Sequence, residues 1–590
     1  MPQYRAPVEE SLFLLFDVLG VGRADNDCFV DGIAEDEAVA VLKGAASFAE
    51  GVLAPLNAVG HTQGCKWHPD GTVTTPQGFR EGYRAFVDGG WNGLAVPAKV
   101  GGSGLPYVLA TAAEEYFNAA NQALTLYATW GLAAAMLLDD PEADSLRRDY
   151  LPQLVSGEWT GTMALTEPHC GTDVGLLKTK AVRQSDGSYR LTGTKIFNSG
   201  GEHDLTENIV HFVLARIVDA PAGTRGISLF LVPKRLAAPD GSAGERNNVS
   251  CASIEHKMGQ NGVATCVLNF EEATGWLIGE PNKGLQRMFA LLNHTRRTFG
   301  VIATGGAWAA YEWAAAYVKE RLQGRAPAGP TAPDCAADPL IMQPDVRRVL
   351  LTIRAHLEPA RCLVLWLALQ LDVAERSNSR ERRALASERV ALLTPVAKAF
   401  LSDKAFDCVV QAQQMFGGHG YIVEMGLEQY VRELRLVMIA EGANGVQAMD
   451  LVGRKIQQGD GTNIGRFISD TEAAIAGLPV DADWFGRAMI SAVRDLRIAT
   501  RDIRSLSREA AAACGYEYMK LLGLVTLGHM WGLILAGMDA PARWHTPEQL
   551  SLKTAAARWF SEHLLPETSA CLARIGCDTR EMMNLPTDAF

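Results

Sequence analysis

Cysteine is scarce and shows no pairing pattern: eleven occur in 590 residues, at 28, 65, 170, 251, 266, 335, 362, 408, 514, 571 and 577, with no CxxC. An odd count so spaced suggests neither a zinc ribbon nor a disulfide framework, and a reducing cytoplasm is the expected setting. Charge is sparse as well, at 21% of residues, and tilted to acid: 55 Lys and Arg against 67 Asp and Glu, net -12. With no block of five or six basic residues, a chain that coats nucleic acid is not expected, although a local basic pocket for a phosphorylated ligand remains open. The start, MPQYRAPVEESLFLLFDVLG, is broken by acids and lacks a small-residue cleavage site, so it reads as a poor signal peptide. Residues 521–538, LLGLVTLGHMWGLILAGM, form an uncharged stretch, but its length is marginal and glycines and His529 weaken it. A helix buried at a domain or subunit interface is expected there, not a transmembrane segment. Common catalytic signatures are missing too: no GxxxxGK[ST], no HExxH and no GxSxG. No metal site is expected.

What is present is apolar mass. Hydrophobic residues make up 48%, enough for extensive cores, and about 150 residues per domain gives a prior of about four domains. Stretches such as YVLATAAEEYFNAANQALTLYATWGLAAAMLL repeat apolar residues at three- and four-residue steps, so 1–160 reads as a helical domain, with GGWNGLAVPAKVGGSGLP (89–106) as a loop within it. From 161 to 280 the pattern changes to short β-type runs, YRLTGTKIFNS, NIVHFVLARIV, GISLFLVPK and ATCVLNF, and a compact antiparallel β domain is expected. Helices resume over 281–465, interrupted by a Pro/Ala/Gly-rich insert (324–339) that reads as an exposed loop. GDGTNIG (459–465) reads as a linker, and 466–590 as an additional helical domain. The fold class is α+β.

Four segments carry candidate chemistry. In MALTEPHCGTD (163–173), Pro168 and Gly171 force an irregular turn whose N–H groups and hydroxyls, Thr166 and Thr172, suit a planar ring or a pyrophosphate; an ordinary strand-to-loop connection has the same composition. In KIFNSGG (195–201), Phe197 and Ser199 two apart share a strand face and offer a ring and a donor to a flat cofactor, or Phe197 is plain core. QMFGGHGY (414–421) has glycines that let backbone approach a ligand, and His419 in it is expected to be structural. In VMIAEGANGVQ (437–447), Glu441 follows apolar residues and precedes Gly442. Buried, it becomes a usable base near neutral pH; at a helix start it is an ordinary exposed acid. Arg296 and Arg297, early in a helix, and Arg321 and Arg325 further on could bind phosphates, or belong to solvated faces.

Taken together and in order, ALTEPHCGTD, GTKIFNSGG, NHTR, ERLQG, QMFGGHGY and AEGANGVQ resemble the signature series of the acyl-CoA dehydrogenase superfamily over roughly residues 40–455. The region after 465, with SGEWTGTMALTEPHCGTD and IEHKMGQNG, resembles the long bacterial subgroup that includes the 3-methylmercaptopropionyl-CoA dehydrogenases and related fatty acyl-CoA dehydrogenases. The resemblance implies an N-terminal helical domain, a central β domain, a helical bundle and the added helical domain. It also implies FAD as cofactor and α,β-dehydrogenation of an acyl-CoA thioester to the trans-2-enoyl-CoA. Glu441 matches the α-proton base, with flavin N5 as hydride acceptor and an electron-transferring flavoprotein as electron acceptor. Met163, Leu165, Thr166, Thr172, Phe197 and Ser199 match flavin contacts, Phe197 in place of Trp and Ser199 in place of Thr. Arg321 and Gln323, with Gln414, Gly417 and Gly418 from a neighbouring subunit, match positions that grip the FAD pyrophosphate and adenosine, which implies a homodimer. Asn293, Arg296, Gly442 and Thr172 match the substrate side. Ala440 departs from the usual aromatic, Ala443 from the usual Thr, and ERLQG lacks the usual Phe before Gly. An acyl-CoA oxidase using O₂ and a DNA- or CoA-binding member without activity are the alternative readings. Chain length is set by pocket-floor residues, expected within 120–140 and 163–167, where Trp130 and Met136 are expected to pack in the core.

Overall fold

The computed structural model describes residues 4–22, 34–139, 143–539 and 543–590, and Cys28 lies outside them. The chain divides into two compact units, one of residues 47–106 and 120–295, the other of 1–46, 107–119 and 296–590.

The first unit is built on a seven-stranded sheet: β1 (Thr160–Ala164), β2 (Lys180–Arg183), β3 (Tyr189–Ser199), β4 (Ile209–Ile217), β5 (Ile227–Pro233), β6 (Val249–Ile254) and β7 (Thr265–Ile278). The pairings β7–β3–β2–β4–β5–β7 return to their start, so five strands form a closed ring, which removes exposed edges; β6 adds to β7 and β1 to β4. Closure explains why β4 and β5 read as near-continuous apolar runs. Ala181, Leu191, Val213, Phe230, Leu268 and Phe270 fill the interior. The expected antiparallel arrangement holds for five pairings of this sheet, whereas β4 runs parallel to both β1 and β2. Helices Ala54–Gln63, Phe79–Asp88, Trp130–Leu137 and Asp144–Ser156 complete this unit. The 89–106 segment is a loop tightened by single turns at Trp91–Gly93 and Ala98–Val100.

The helices of the second unit that bear on the site are α1 (Gly284–Glu320, which enters the unit at Arg296), α2 (Pro344–Arg376), α3 (Arg380–Pro395), α4 (Leu401–Met415), α5 (Leu427–Ile439), α6 (Asn444–Gly453) and α7 (Arg508–Gly537). Between α3 and α4 the helix widens into a π-type turn over Val396–Phe400, just after Pro395, which cannot donate to the ladder. The region beyond 465 is helical, as expected, and lies in the same compact unit as residues 296–465. Helix α7 runs through the packing of this unit, with Trp531 donating to the Ala355 carbonyl of α2 at 3.0 Å.

Two of the glycines of 521–538, Gly523 and Gly528, have a packing cause. A Cβ at Gly523 would collide with the Phe400 ring, and one at Gly528 with Met489. They let α7 sit close to its neighbours, as the buried-helix expectation requires. Among the described residues, two stretches, Glu35–Gln63 and Arg508–Gly537, are long and apolar enough to cross a membrane by length and composition; 83% of the second one's most apolar window is buried within the protein. The linker read at 459–465 is shorter than expected: Gly459 and Gly461 are left-handed, but helix resumes at Thr462.

Candidate active site

The end of β1 and the end of β3 are tied side by side, because Ile196 N–H donates to the Thr166 carbonyl at 2.9 Å. Behind them lies a buried ion pair. Lys195 Nζ donates to Glu167 Oε1 at 2.9 Å and to the Leu165 carbonyl at 3.0 Å, while the Glu167 carboxylate also accepts the N–H groups of Lys178 (2.8 Å) and Thr179 (3.0 Å). Burial opposes both charges. Even so, Lys195 and these N–H groups hold Glu167 below its ordinary range, whereas burial pushes Lys195 down to about 8 against the pull of Glu167. The irregular turn after β1 is thus fixed from inside. Met163, Leu165 and Thr166 are half-buried on it and Thr172 is exposed.

Opposite, β3 bulges: Asn198 pairs with Cys266 and Lys195 with Leu268, so Ile196 and Phe197 together face Val267. Phe197 takes a left-handed φ of 57° and is 61% exposed. An aromatic in that conformation costs about 1–2 kcal/mol, and its ring gains no core burial in return. The plain-core reading of Phe197 is therefore excluded. Ser199 is exposed as well. Trp130, by contrast, packs: its ring stacks on Phe212 at 6.4 Å. Glu167, His169 and Cys170 bring three possible metal-ligand atoms within 4.8 Å of one another, but both Glu167 oxygens are already engaged by N–H donors.

In the second unit Glu441 sits in a turn between α5 and α6. The ladder of α5 closes with Ala440 N–H on the Leu436 carbonyl; Glu441 then turns left-handed at φ 57°, followed by Gly442 at 90°. The turn is braced by Arg296 Nε on the Glu441 carbonyl (3.3 Å) and by Gln447 Nε2 on the carbonyls of Glu441 (3.4 Å) and Gly442 (3.5 Å). Gly442 is favoured by its left-handed φ, and a Cβ there would lie 2.6 Å from Gln447 Nε2, so the Gln447 side chain would have to shift to admit one. Glu441 is half-buried, and desolvation raises its pKa above the ordinary carboxylate value while Arg296 and Lys398 act against that rise. It is not an exposed acid at a helix start.

Lys398 was not singled out from the sequence, nor were Gln447, Asn444, Asp403 and Tyr516. Lys398 is a lone cation in the apolar run TPVAKAFL and lies in the π-type turn after Pro395. Such turns gather at functional sites, so the Pro-then-Lys pattern was the available signal.

At the far end of α1, Tyr317 stacks on Phe416 (4.3 Å) and accepts or donates a 2.9 Å hydrogen bond with His419 Nδ1, which gives His419 the structural role expected of it. This contact brings the end of α1 beside the glycine turn. Gly417 is left-handed at 56°, and a Cβ at Gly417 or Gly418 would meet nothing within 4 Å. Gln414, Arg321 and Gln323 are exposed. Arg325 has a different task from phosphate binding. It donates to the carbonyls of Ala332 and Cys335 and to Asp338, whose buried carboxylate also takes the N–H groups of Ala326, Thr331 and Ala332 and so orders the exposed insert. Helix α1 begins at Gly284, so Arg296 and Arg297 lie well inside it rather than early, and Asn293 is one turn before Arg296.

Residues 35–158 match the acyl-CoA dehydrogenase N-terminal domain, 162–273 the middle domain, 282–456 the C-terminal domain and 463–586 the domain described as acetyl-CoA dehydrogenase C-terminal like. The chain is 37% identical to the 3-methylmercaptopropionyl-CoA dehydrogenase of Ruegeria pomeroyi over 97% of its own length and 98% of the relative's. The chain belongs to the acyl-CoA dehydrogenase family. It is also 31% identical, over all of both chains, to the broad-specificity linear acyl-CoA dehydrogenase FadE5 of Mycobacterium tuberculosis. Among solved structures, the family fold is shared with the Bacillus anthracis acyl-CoA dehydrogenase complexed with FAD (TM-score 0.74, 21% identity, 94% of this chain and 91% of that one). It is shared too with Caenorhabditis elegans ACDH-11 in complex with C11-CoA (TM-score 0.77, 18% identity, 95% and 90%).

Proposed function

We propose that the chain is an FAD-dependent acyl-CoA dehydrogenase that desaturates an acyl-CoA thioester between Cα and Cβ, with Glu441 as the base. The observation that carries this reading is the Glu441 turn: a half-buried carboxylate on left-handed backbone, raised by desolvation and faced by two cations. Raising a carboxylate's pKa makes it a stronger base for a weakly acidic α-proton. Arg296 and Gln447 fix the carbonyls of the turn, so the carboxylate and the Glu441 N–H past the end of α5 keep one arrangement. Such an N–H, aimed at a thioester oxygen, stabilises the charge that develops as the α-proton leaves.

The residues present fit FAD. An exposed ring at Phe197 with hydroxyls at Thr166, Thr172 and Ser199 suits a flat heteroaromatic, and open backbone at Gly417 and Gly418 with exposed Arg321, Gln323 and Gln414 suits a phosphate-linked nucleotide. FAD, when bound, supplies the acceptor for the hydride that leaves Cβ. The FAD-bound Bacillus structure of the same fold supports that assignment. We further propose a homodimer, in which Gln414, Gly417 and Gly418 serve the partner's cofactor, and an electron-transferring flavoprotein as electron acceptor.

The test is product analysis. FAD-reconstituted protein with an artificial electron acceptor is expected to convert at least one acyl-CoA to a thioester lighter by two hydrogens, and Glu441→Gln to form none. Equal product from both proteins would remove Glu441 from its role.

A further inference from the structure

The turn that carries Glu441 is held from behind by a chain of polar side chains that ends in the region beyond 462. Lys398 Nζ donates to Asn444 Oδ1 at 2.8 Å and to the Met438 carbonyl at 3.3 Å. Met438 belongs to the last turn of α5 and Asn444 is the first residue of α6, so one ammonium grips both flanks of the 440–443 turn. Asn444 Nδ2 in turn donates to the Ala399 carbonyl (3.1 Å), Ser402 Oγ (2.9 Å) and Asp403 Oδ1 (2.7 Å). The other Asp403 oxygen accepts the hydroxyl of Tyr516, on α7. Lys398 is fully buried and Asn444 nearly so. Packing alone does not call for a buried lysine, which is costly to desolvate and is kept where its charge is used.

We infer that Lys398 and Asn444, backed by Asp403 and by Tyr516 of α7, position Glu441 and set its charge, so that the C-terminal region acts on the reaction centre. The inference rests on the proposed role of Glu441 as base. These four are positioning residues, since none of them is placed on substrate. The direction of each effect follows from the charges. Facing Glu441 are Arg296 and Lys398; facing Lys398 are Glu441, Asp403 and Arg296; Asp403 is flanked by Lys404 and Asp407, and Arg296 by Asp450, Arg454 and Lys455. Burial pushes Lys398 down to about 8, and Glu441 and Asp403 hold it up. Losing the ammonium therefore raises Glu441 further. Losing the Tyr516 hydroxyl weakens ionised Asp403, which in turn weakens the charge on Lys398 and acts on Glu441 in the same direction.

The test uses full-length, FAD-loaded protein: wild type, Lys398→Met and Tyr516→Phe, each beside its Glu441→Gln counterpart. The infrared carboxylic C=O band that differs between each protein and its counterpart reports the titration of Glu441 without any turnover. Its midpoint is expected to rise by about one pH unit in Lys398→Met, with a smaller rise in Tyr516→Phe. The acid limb of the pH profile for anaerobic flavin reduction is expected to move with it. Midpoints unmoved in both variants overturn the inference, and so does a rate lowered equally at every pH, which marks a packing role only. If Lys398→Met does not fold, Tyr516→Phe decides. If the infrared midpoints move but no thioester reduces wild-type flavin, the coupling stands and the dehydrogenase reading falls.

Discussion

Replacing Lys195 by methionine removes the buried ammonium that holds Glu167 inside the β domain, and its consequences can be sized. The ammonium is fully buried and Glu167 is 3% exposed, so the variant leaves a desolvated carboxylate with the N–H groups of Lys178 and Thr179 and with His169 Nε2 at 3.6 Å. Breaking a buried pair from one side costs about 3–5 kcal/mol. At roughly 2–4 °C per kcal/mol for a cooperative unit of this size, the melting transition is expected to fall by about 6–20 °C. The loss also frees the Leu165 carbonyl, so FAD affinity is expected to fall with it, since Leu165 and Thr166 ride on this clamp. The pH signature has a definite sign. Glu167 is held below its unfolded value of 4.5, so its contribution is fully present above pH 4.5 and is lost as pH falls through the lower folded value. Differential scanning calorimetry at pH 7 and pH 4, with FAD fluorescence as a second probe, reads both effects. Adding Glu167→Leu to Lys195→Met is expected to cost less than the sum of the singles, because the stranded charge goes too. A Lys195→Met midpoint within about 2 °C of wild type, with additive singles, would refute the clamp.

Phe197→Gly relieves left-handed strain of about 1–2 kcal/mol at an exposed position; the apoprotein is expected to melt higher and bind FAD more weakly, and a variant that melts lower contradicts the ligand-facing reading of the bulge. Gly442→Ala places a methyl 2.6 Å from Gln447 Nε2 at φ 90°; thioester-driven flavin reduction is expected to slow by at least about 10-fold, because an ångström of misplacement at a reacting group is that costly, and stopped-flow rates near wild type would show a tolerant turn. His203 and His211 are buried on the hydroxyls of Thr160 and Thr162 and pushed down to about 3. Unfolded histidine binds its proton near 6.5, so stability is fully present above pH 6.5 and declines as pH falls toward 3, at up to about 1.4 kcal/mol per unit per group. Urea titrations of wild type and His211→Gln between pH 7 and 5 should show a shallower decline in the variant; equal slopes would remove His211 as a cause.

What could be read from the sequence was what local pattern encodes. Period-3.6 apolar repeats marked the helices, and the Gly-flanked runs from Thr160 to Phe270 marked the β domain. Glu441 beside Gly442 stood out because an acid between apolar residues and a glycine is a local feature. Closure of the sheet could not be read, because it depends on β5 pairing with both β4 and β7, contacts between segments far apart in the chain. The left-handed Phe197 escaped notice for a related reason: a bulge is a mismatch between two strands, and only the Cys266–Leu268 side of the pairing shows it. Lys398 and Asp403 share one helical run, Asn444 and Tyr516 lie on two others, and the four meet only in the fold. The four glycines of 521–538 weakened a membrane reading in sequence, and the structure supplies a cause for two of them, Gly523 against the Phe400 ring and Gly528 against the Met489 side chain.

The central claim is that Glu441 takes the α-proton of an acyl-CoA thioester. It is tested most directly by anaerobic flavin bleaching of the FAD-loaded protein with butyryl-, 3-methylthiopropionyl-, octanoyl- and palmitoyl-CoA, wild type beside Glu441→Gln. The account predicts rapid bleaching of wild type by at least one member of the panel and none, or a rate lower by about 10²–10⁴-fold, in the variant. Bleaching of both proteins at similar rates, or FAD that is bound and never bleached by any thioester, would contradict it.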